Sequence, residues 1–171
     1  AAEEHVLHAD LDDLFVSVEG GLMGMVVHPD FATSRLFTTC QTHQENGQPK
    51  DVRLVTWKLS ADGTSAQKWR DLLTGLPIST GRHSGCRPTI APGAVNDSGE
   101  DELFVGTGDV AQGDLPQNRT SLGGKVLRLD LETGFPLSGN PFFSLENERE
   151  RYIYSYGHRN IQGVAVQPGT G

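Results

Sequence analysis

Leu22-Met23-Gly24-Met25-Val26-Val27-His28-Pro29 (LMGMVVHP) is an apolar run stopped by a proline, and it opens a pattern that recurs along the chain. Asp30 to Ser34 reads as a turn, Arg35 to Gln41 (RLFTTCQ) as a second strand, and His43 to Lys50 as a polar loop. Val52 to Ser60 (VRLVTWKLS) alternates as a third strand, and Ala61-Asp62-Gly63 is a turn signal. Ala66 to Leu73 (AQKWRDLL) is ambiguous by period, but as a strand it closes a four-stranded unit. The order then recurs. Arg87 to Pro92 (RPTIAP) again ends at proline, Glu102 to Gly106 (ELFVG) comes next, and Lys125 to Leu131 (KVLRLDL) runs into Glu132-Thr133-Gly134. A further start lies at Gly163 to Pro168 (GVAVQP), with strand-like runs at Tyr152 to Tyr156 and Ile161 to Val166.

Strand, proline, turn, strand, loop, strand, repeated, predicts an all-β chain of antiparallel blades, part of a β-propeller. The blade segments fall at approximately 16–75, 76–135 and an incomplete 150–171. The marker prolines Pro29, Pro92 and Pro168 are spaced more widely than a blade of roughly 40–50 residues, and loops must absorb the surplus. A β-sandwich is the competing reading. Upstream, Asp10 to Phe15 (DLDDLF) reads as a short helical turn with carboxylates at its N-terminus. An open set of blades exposes strand edges and an apolar face, so the chain is expected to be a segment of a longer protein, or to cover its edges as a homo-oligomer.

Composition agrees with short strands and turns: 171 residues carry Gly 21 and Pro 9. A net charge of −8 argues against a nucleic-acid partner, and no apolar run is long enough to span a membrane. Cys40 and Cys86 both lie in or beside strand-like runs, as two buried thiols or as one disulfide.

Several stretches carry chemistry-bearing side chains. Tyr154 to Gly163 (YSYGHRNIQG) sets an imidazole, a guanidinium and an amide between glycines, a set suited to a planar, anionic, oxygen-rich ligand. A solvated polar turn is its plain alternative. Gly81-Arg82-His83-Ser84-Gly85-Cys86-Arg87 holds a histidine between glycines at the start of a strand, open to accept a proton; a surface loop histidine competes. Ser84 beside His83 does not make a triad, because adjacent side chains on an extended segment point to opposite sides. Gly106-Thr107-Gly108-Asp109 ends a strand and reads as an Asx turn more readily than as a metal ligand. Asn118-Arg119-Thr120 is a glycosylation triplet of the kind that arises by chance. His5, His8, His28 and His43 show no zinc-like spacing with the cysteines.

Taken in order, these stretches resemble the soluble quinoprotein glucose/sorbosone dehydrogenase family. Gly20-Gly21-Leu22-Met23-Gly24 with His28-Pro29-Asp30-Phe31-Ala32 looks like its "GLLG…HPDF" signature. Arg82 to Arg87 resembles its histidine-bearing active-site segment. Gly106-Thr107-Gly108-Asp109 and Ser121 to Asp130 resemble "GTGD…LxGKxLRxD", and Asn140-Pro141-Phe142 and Tyr156 to Gly163 resemble "NPF" and "YGHRNPQG". The resemblance covers about Phe15 to Gly171. It implies a six-bladed β-propeller that uses pyrroloquinoline quinone (PQQ) and calcium to oxidise the anomeric carbon of an aldose to a lactone.

Residue by residue, the resemblance makes His83 the general base and Arg159 the group that stabilises charge on the quinone oxygen, with Asn160 its cofactor-binding neighbour. Glu19 falls where some members carry a substrate-contacting glutamine, and Arg82 where the glucose-oxidising member has a carboxylate, so glucose itself is not implied. Gln117 aligns with a glutamine ahead of the "LGK" segment. Ile161 replaces a proline of the common pattern, a change in local stiffness only. The calcium ligands and the basic residues for the PQQ carboxylates are expected C-terminal to this stretch, so the isolated segment is expected to be inactive. A sugar substrate and an external electron acceptor are implied as partners. The secreted, periplasmic or cell-surface setting usual for the family favours a Cys40–Cys86 disulfide between neighbouring blades. A non-catalytic propeller that binds a partner is the alternative on the same fold.

Overall fold

The computed structural model describes residues 6–93 and 101–167. Two sheets account for nearly all its regular structure. The first takes β1 (His8–Ala9), β2 (Leu22–Val27), β3 (Leu36–Glu45), β4 (Gln48–Leu59) and β5 (Ser65–Leu76), in the order β1-β5-β4-β3-β2. From β2 to β5 all pairing is antiparallel, and β1 adds a short parallel strand outside β5. A single helical turn, α1 (Phe31–Ser34), links β2 to β3. The second sheet is β6 (Gly85–Ala91), β7 (Glu102–Thr107), β8 (Lys125–Asp130) and β9 (Ile153–Tyr156), antiparallel throughout in chain order. The all-β expectation holds, and the ambiguous Ala66 to Leu73 run is indeed a strand.

Four details differ from the sequence reading. His43 to Lys50 is not a loop: β3 and β4 run on to a two-residue hairpin at Asn46-Gly47, both at positive φ (53° and 77°). Polar side chains suggest a loop there, whereas Asn-Gly is the residue pair that a type I′ turn requires. Asp10 to Phe15 is a turn rather than a helix. The Asp10 carboxylate accepts the Asp12 N–H at 3.2 Å, and Leu14 then pairs with His43. Ile161 to Val166 forms no ladder; Ile161 and Val164 instead pack over Gly106, where any Cβ would collide with them. Ile153–Tyr156, which the sequence reading groups with the incomplete segment 150–171, is the fourth strand of the second sheet. His5 and Pro168, the last marker proline, lie outside the described residues.

The alternation of each strand sends one set of side chains into a shared core. Cys40, Val52, Leu54, Leu72 and Leu76 from the first sheet meet Cys86, Leu103, Val105, Leu127, Leu129 and Ile153 from the second, all buried. The sheets touch through β2, β3 and β6. That approach needs Gly24, because a Cβ there would sit 2.6 Å from Pro88 Cδ and 2.7 Å from the Cys86 carbonyl oxygen. Arg87 Nη1 donates to the Met23 carbonyl at 3.0 Å across the same seam. Cys40 of β3 and Cys86 of β6 form a disulfide there, with Cα atoms 5.5 Å apart. A polar thread lies beside it: Thr38 joins the ring of buried His28 at 2.8 Å to Thr56 at 3.0 Å.

Lys125 opens β8 with none of its surface exposed. Its ammonium donates to the carbonyls of Leu115 (3.0 Å), Pro116 (3.0 Å) and Gly123 (2.6 Å), so all three protons have acceptors. This ties a 3₁₀ turn, Leu115–Gln117, to the sheet. Burial pushes the lysine down from 10.5 to about 8. Between these values the unfolded chain binds a proton that the folded chain does not. This group's contribution to stability is therefore least favourable below pH 8 and improves as pH rises toward 10.5.

Replacing both Cys40 and Cys86 by alanine in the full-length protein lowers unfolding free energy by about 4 kcal/mol, the chain-entropy value for a 46-residue separation, read from denaturant curves. In a ¹⁵N NMR titration, the Lys125 side chain shows a midpoint near 8; a midpoint at the ordinary lysine value would mean that the three carbonyls fully offset burial.

Candidate active site

At one end of the strands, four chain segments converge: the lead into β2, the loop before β6, the residues after β7, and the residues after β9. The loop before β6 has a left-handed backbone at Gly81 (φ 89°) and His83 (51°), and the first two residues of β6 share it, Gly85 (60°) and Cys86 (66°). For His83 and Cys86 this conformation is costly and persists only if the surroundings impose it. Here they do. The His83 N–H donates to Glu19 Oε2 at 3.0 Å, and its carbonyl accepts the Val110 N–H at 3.2 Å. Gly108 lies so close that a Cβ on it would collide with the His83 carbonyl.

The His83 ring is buried, with 8% of the side chain exposed, and its Nδ1 lies 2.9 Å from Asp109 Oδ1. A carboxylate accepts, so Nδ1 is the donor in this pair, and in the neutral ring this leaves the lone pair on Nε2. Asp109 is itself held: the same Oδ1 accepts the Ala111 N–H at 2.8 Å, and the Asp109 N–H donates to the Arg159 carbonyl at 2.7 Å. The Asx turn expected at Asp109 is present, but its more important partner is His83. Nothing in the sequence signals a pairing between residues 83 and 109; it arises because β6 and β7 are antiparallel neighbours.

Asn160 completes the cluster. Its Oδ1 accepts the Gly85 N–H at 3.0 Å, its Nδ2 donates to Glu19 Oε2 at 3.0 Å, and its backbone bridges to Gly108. These partners fix which end of the amide is which, since a flip would oppose two donors. One Nδ2 proton and one Oδ1 lone pair remain for a ligand. Arg159 beside it is exposed, and its guanidinium makes no hydrogen bond or ion pair among the described residues.

The structure thus brings Glu19, His83 and Asn160 into direct hydrogen bonding and ties Arg159 to them through its backbone. Arg82 and Gln117 are exposed and make no hydrogen bond to the cluster. Gln117 stands at the end of the 3₁₀ turn anchored by Lys125 and faces Gly157. Ser84 donates to the Gly81 carbonyl at 2.8 Å, away from any nucleophilic role. Among the described residues no three His, Cys, Asp or Glu side chains are grouped to hold a metal. A cavity of about 360 Å³ opens at the opposite ends of the same strands, lined by His28, Asp30, Asp101, Asp130 and Glu132, and shares no residue with the His83 cluster. The donor set at the cluster, an unpartnered guanidinium beside an amide with one donor and one acceptor left, fits an anionic, planar quinone such as PQQ.

Comparison with known proteins bears on these features together. The glucose/sorbosone dehydrogenase family profile matches residues 3–171. The chain is 31% identical over 157 residues to the aldose sugar dehydrogenase YliI of Escherichia coli, covering 91% of this chain and 40% of that protein. It is 32% identical over 169 residues to quinoprotein glucose dehydrogenase B of Acinetobacter calcoaceticus, covering 88% of this chain and 34% of that protein. The PQQ-bound aldose sugar dehydrogenase from Streptomyces coelicolor superposes with a TM-score of 0.69 at 28% identity, over 89% of this chain and 40% of that one. A glucose dehydrogenase from Thermus gives a TM-score of 0.76 at 36% identity, over 91% of this chain and 43% of that one. The chain spans less than half the length of each of these relatives. Its two sheets are adjacent blades of a β-propeller, and the chain belongs to the glucose/sorbosone dehydrogenase family.

Proposed function

We propose that the full-length protein is a PQQ-dependent aldose dehydrogenase and that these residues carry its general base and one wall of its quinone site. The observation that carries the reading is the buried His83–Asp109 pair, 2.9 Å apart, set beside the unpartnered Arg159 guanidinium. A carboxylate bonded to Nδ1 directs the other ring nitrogen, Nε2, as a general base requires.

In this reading His83 Nε2 takes the proton from the anomeric hydroxyl of the sugar. Asp109 keeps Nδ1 protonated and steadies the imidazolium that forms. PQQ, when bound, supplies the acceptor for the hydride leaving the anomeric carbon, so a lactone results. Arg159 offers its guanidinium to the developing negative charge, and Asn160 orients the cofactor with its remaining donor. Arg82 and Gln117 stand at the rim as substrate contacts, as does the second carboxylate oxygen of Glu19. Calcium and the anchors for the PQQ carboxylates belong to parts of the propeller outside these residues, so residues 1–171 alone are inactive. An external electron acceptor completes the cycle. The Cys40–Cys86 disulfide supports an oxidising location, either secreted, periplasmic or cell-surface.

Tests are direct in the full-length protein supplied with PQQ and calcium. His83→Ala abolishes sugar-dependent dye reduction while PQQ binding, followed spectroscopically, persists; unchanged turnover removes His83 as the base. Asp109→Asn keeps the volume but loses the ionised acceptor, and lowers kcat by about 10²–10⁴-fold, the usual worth of a positioned base. Arg159→Ala weakens both PQQ binding and turnover.

A further inference from the structure

We infer that Glu19 is a positioning residue that sets His83 through its main chain, an inference that rests on the reading of His83 as the base. Glu19 projects from a tight turn in which the Ser17 and Gly20 backbones bond to each other, at 3.2 Å and 2.8 Å. That turn is wedged against the histidine loop: a Cβ on Gly20 would lie 3.2 Å from the Gly81 Cα. From there a single carboxylate oxygen, Oε2, accepts two N–H groups, from the His83 main chain and from Asn160 Nδ2, each at 3.0 Å. Asn160 Oδ1 in turn accepts the Gly85 N–H at 3.0 Å.

The result is a closed ring: Glu19 to His83, along the chain to Gly85, across to Asn160 and back to Glu19. It satisfies the two main-chain donors that flank Ser84, in a tripeptide whose first and last residues are both left-handed. The acceptor is ionised, so these bonds are stronger than neutral ones. Removing the carboxylate strands the His83 N–H and frees a backbone that prefers φ below zero. The ring nitrogen that faces substrate then loses its fixed direction, even though Asp109 still bonds Nδ1. Glu19 Oε1 has no partner among the described residues, so the positioning role leaves it free toward ligand.

The test uses the full-length protein with Glu19→Ala and Glu19→Gln. Steady-state kinetics are combined with amide hydrogen exchange at His83 and Gly85 in the protein without PQQ or sugar. For Glu19→Ala, kcat falls by roughly a hundredfold with KM little changed, as expected for a misplaced catalytic group. Exchange at the His83 and Gly85 amides rises by about tenfold or more, as these part-buried bonds open. Glu19→Gln, whose neutral amide oxygen can accept the same two N–H groups, restores most of the protection at both amides. Unchanged exchange in the alanine variant overturns the inference, and a rise in KM with kcat unchanged assigns Glu19 to substrate contact alone. Exchange does not depend on turnover. Loss of protection in a protein whose wild type oxidises no sugar therefore supports the ring and sinks only the enzymatic reading.

Discussion

The seam between β2 and β6 governs the rest of the molecule. Two sheets can share a core only if their nearest strands approach closely, and here the backbone of one passes beneath a proline and a carbonyl of the other. Gly24 permits that distance, Arg87 bonds across it, and the Cys40–Cys86 disulfide makes it permanent. Everything at the site inherits its registration from this contact. Cys86 lies close along the chain to His83, and Glu19 lies just ahead of β2. When the strands are fixed, so is the gap between His83 and the Glu19 carboxylate.

The site itself belongs to no single sheet. His83, Asp109 and Asn160 come from connections of the second sheet, and Glu19 from the approach to the first. Glu19 and Asn160 accept the His83 and Gly85 N–H groups of a strained loop inside a crowded junction. Arg159 and Arg82, whose guanidinium groups bond to no protein group among the described residues, are cationic on a chain of net charge −8.

The sequence is most legible where local chemistry decides the outcome. Apolar alternation with proline stops locates most of the strands, and the glycine-bounded His83 and the Arg159-Asn160 pair stand out by residue type. It is least legible where distant segments meet. No local signal marks Asp109 as the partner of His83, because the pairing depends on strands crossing antiparallel in space. Composition misleads at His43 to Lys50, where polar residues extend a hairpin whose Asn-Gly turn is the better guide. In Ile161 to Val166 the apolar pattern is real, but it covers Gly106 rather than forming a strand.

The cross-sheet disulfide also has a consequence in time. Cys40 and Cys86 are 46 residues apart in sequence, and the second belongs to the strand that opens the later sheet. At translation speeds of about 5–20 residues per second, the Cys40 thiol waits some seconds for its partner while the first sheet is still being made. Vectorial synthesis thus exposes Cys40 before its partner exists. The oxidation that joins the two sheets therefore waits on the first strand of the second, β6.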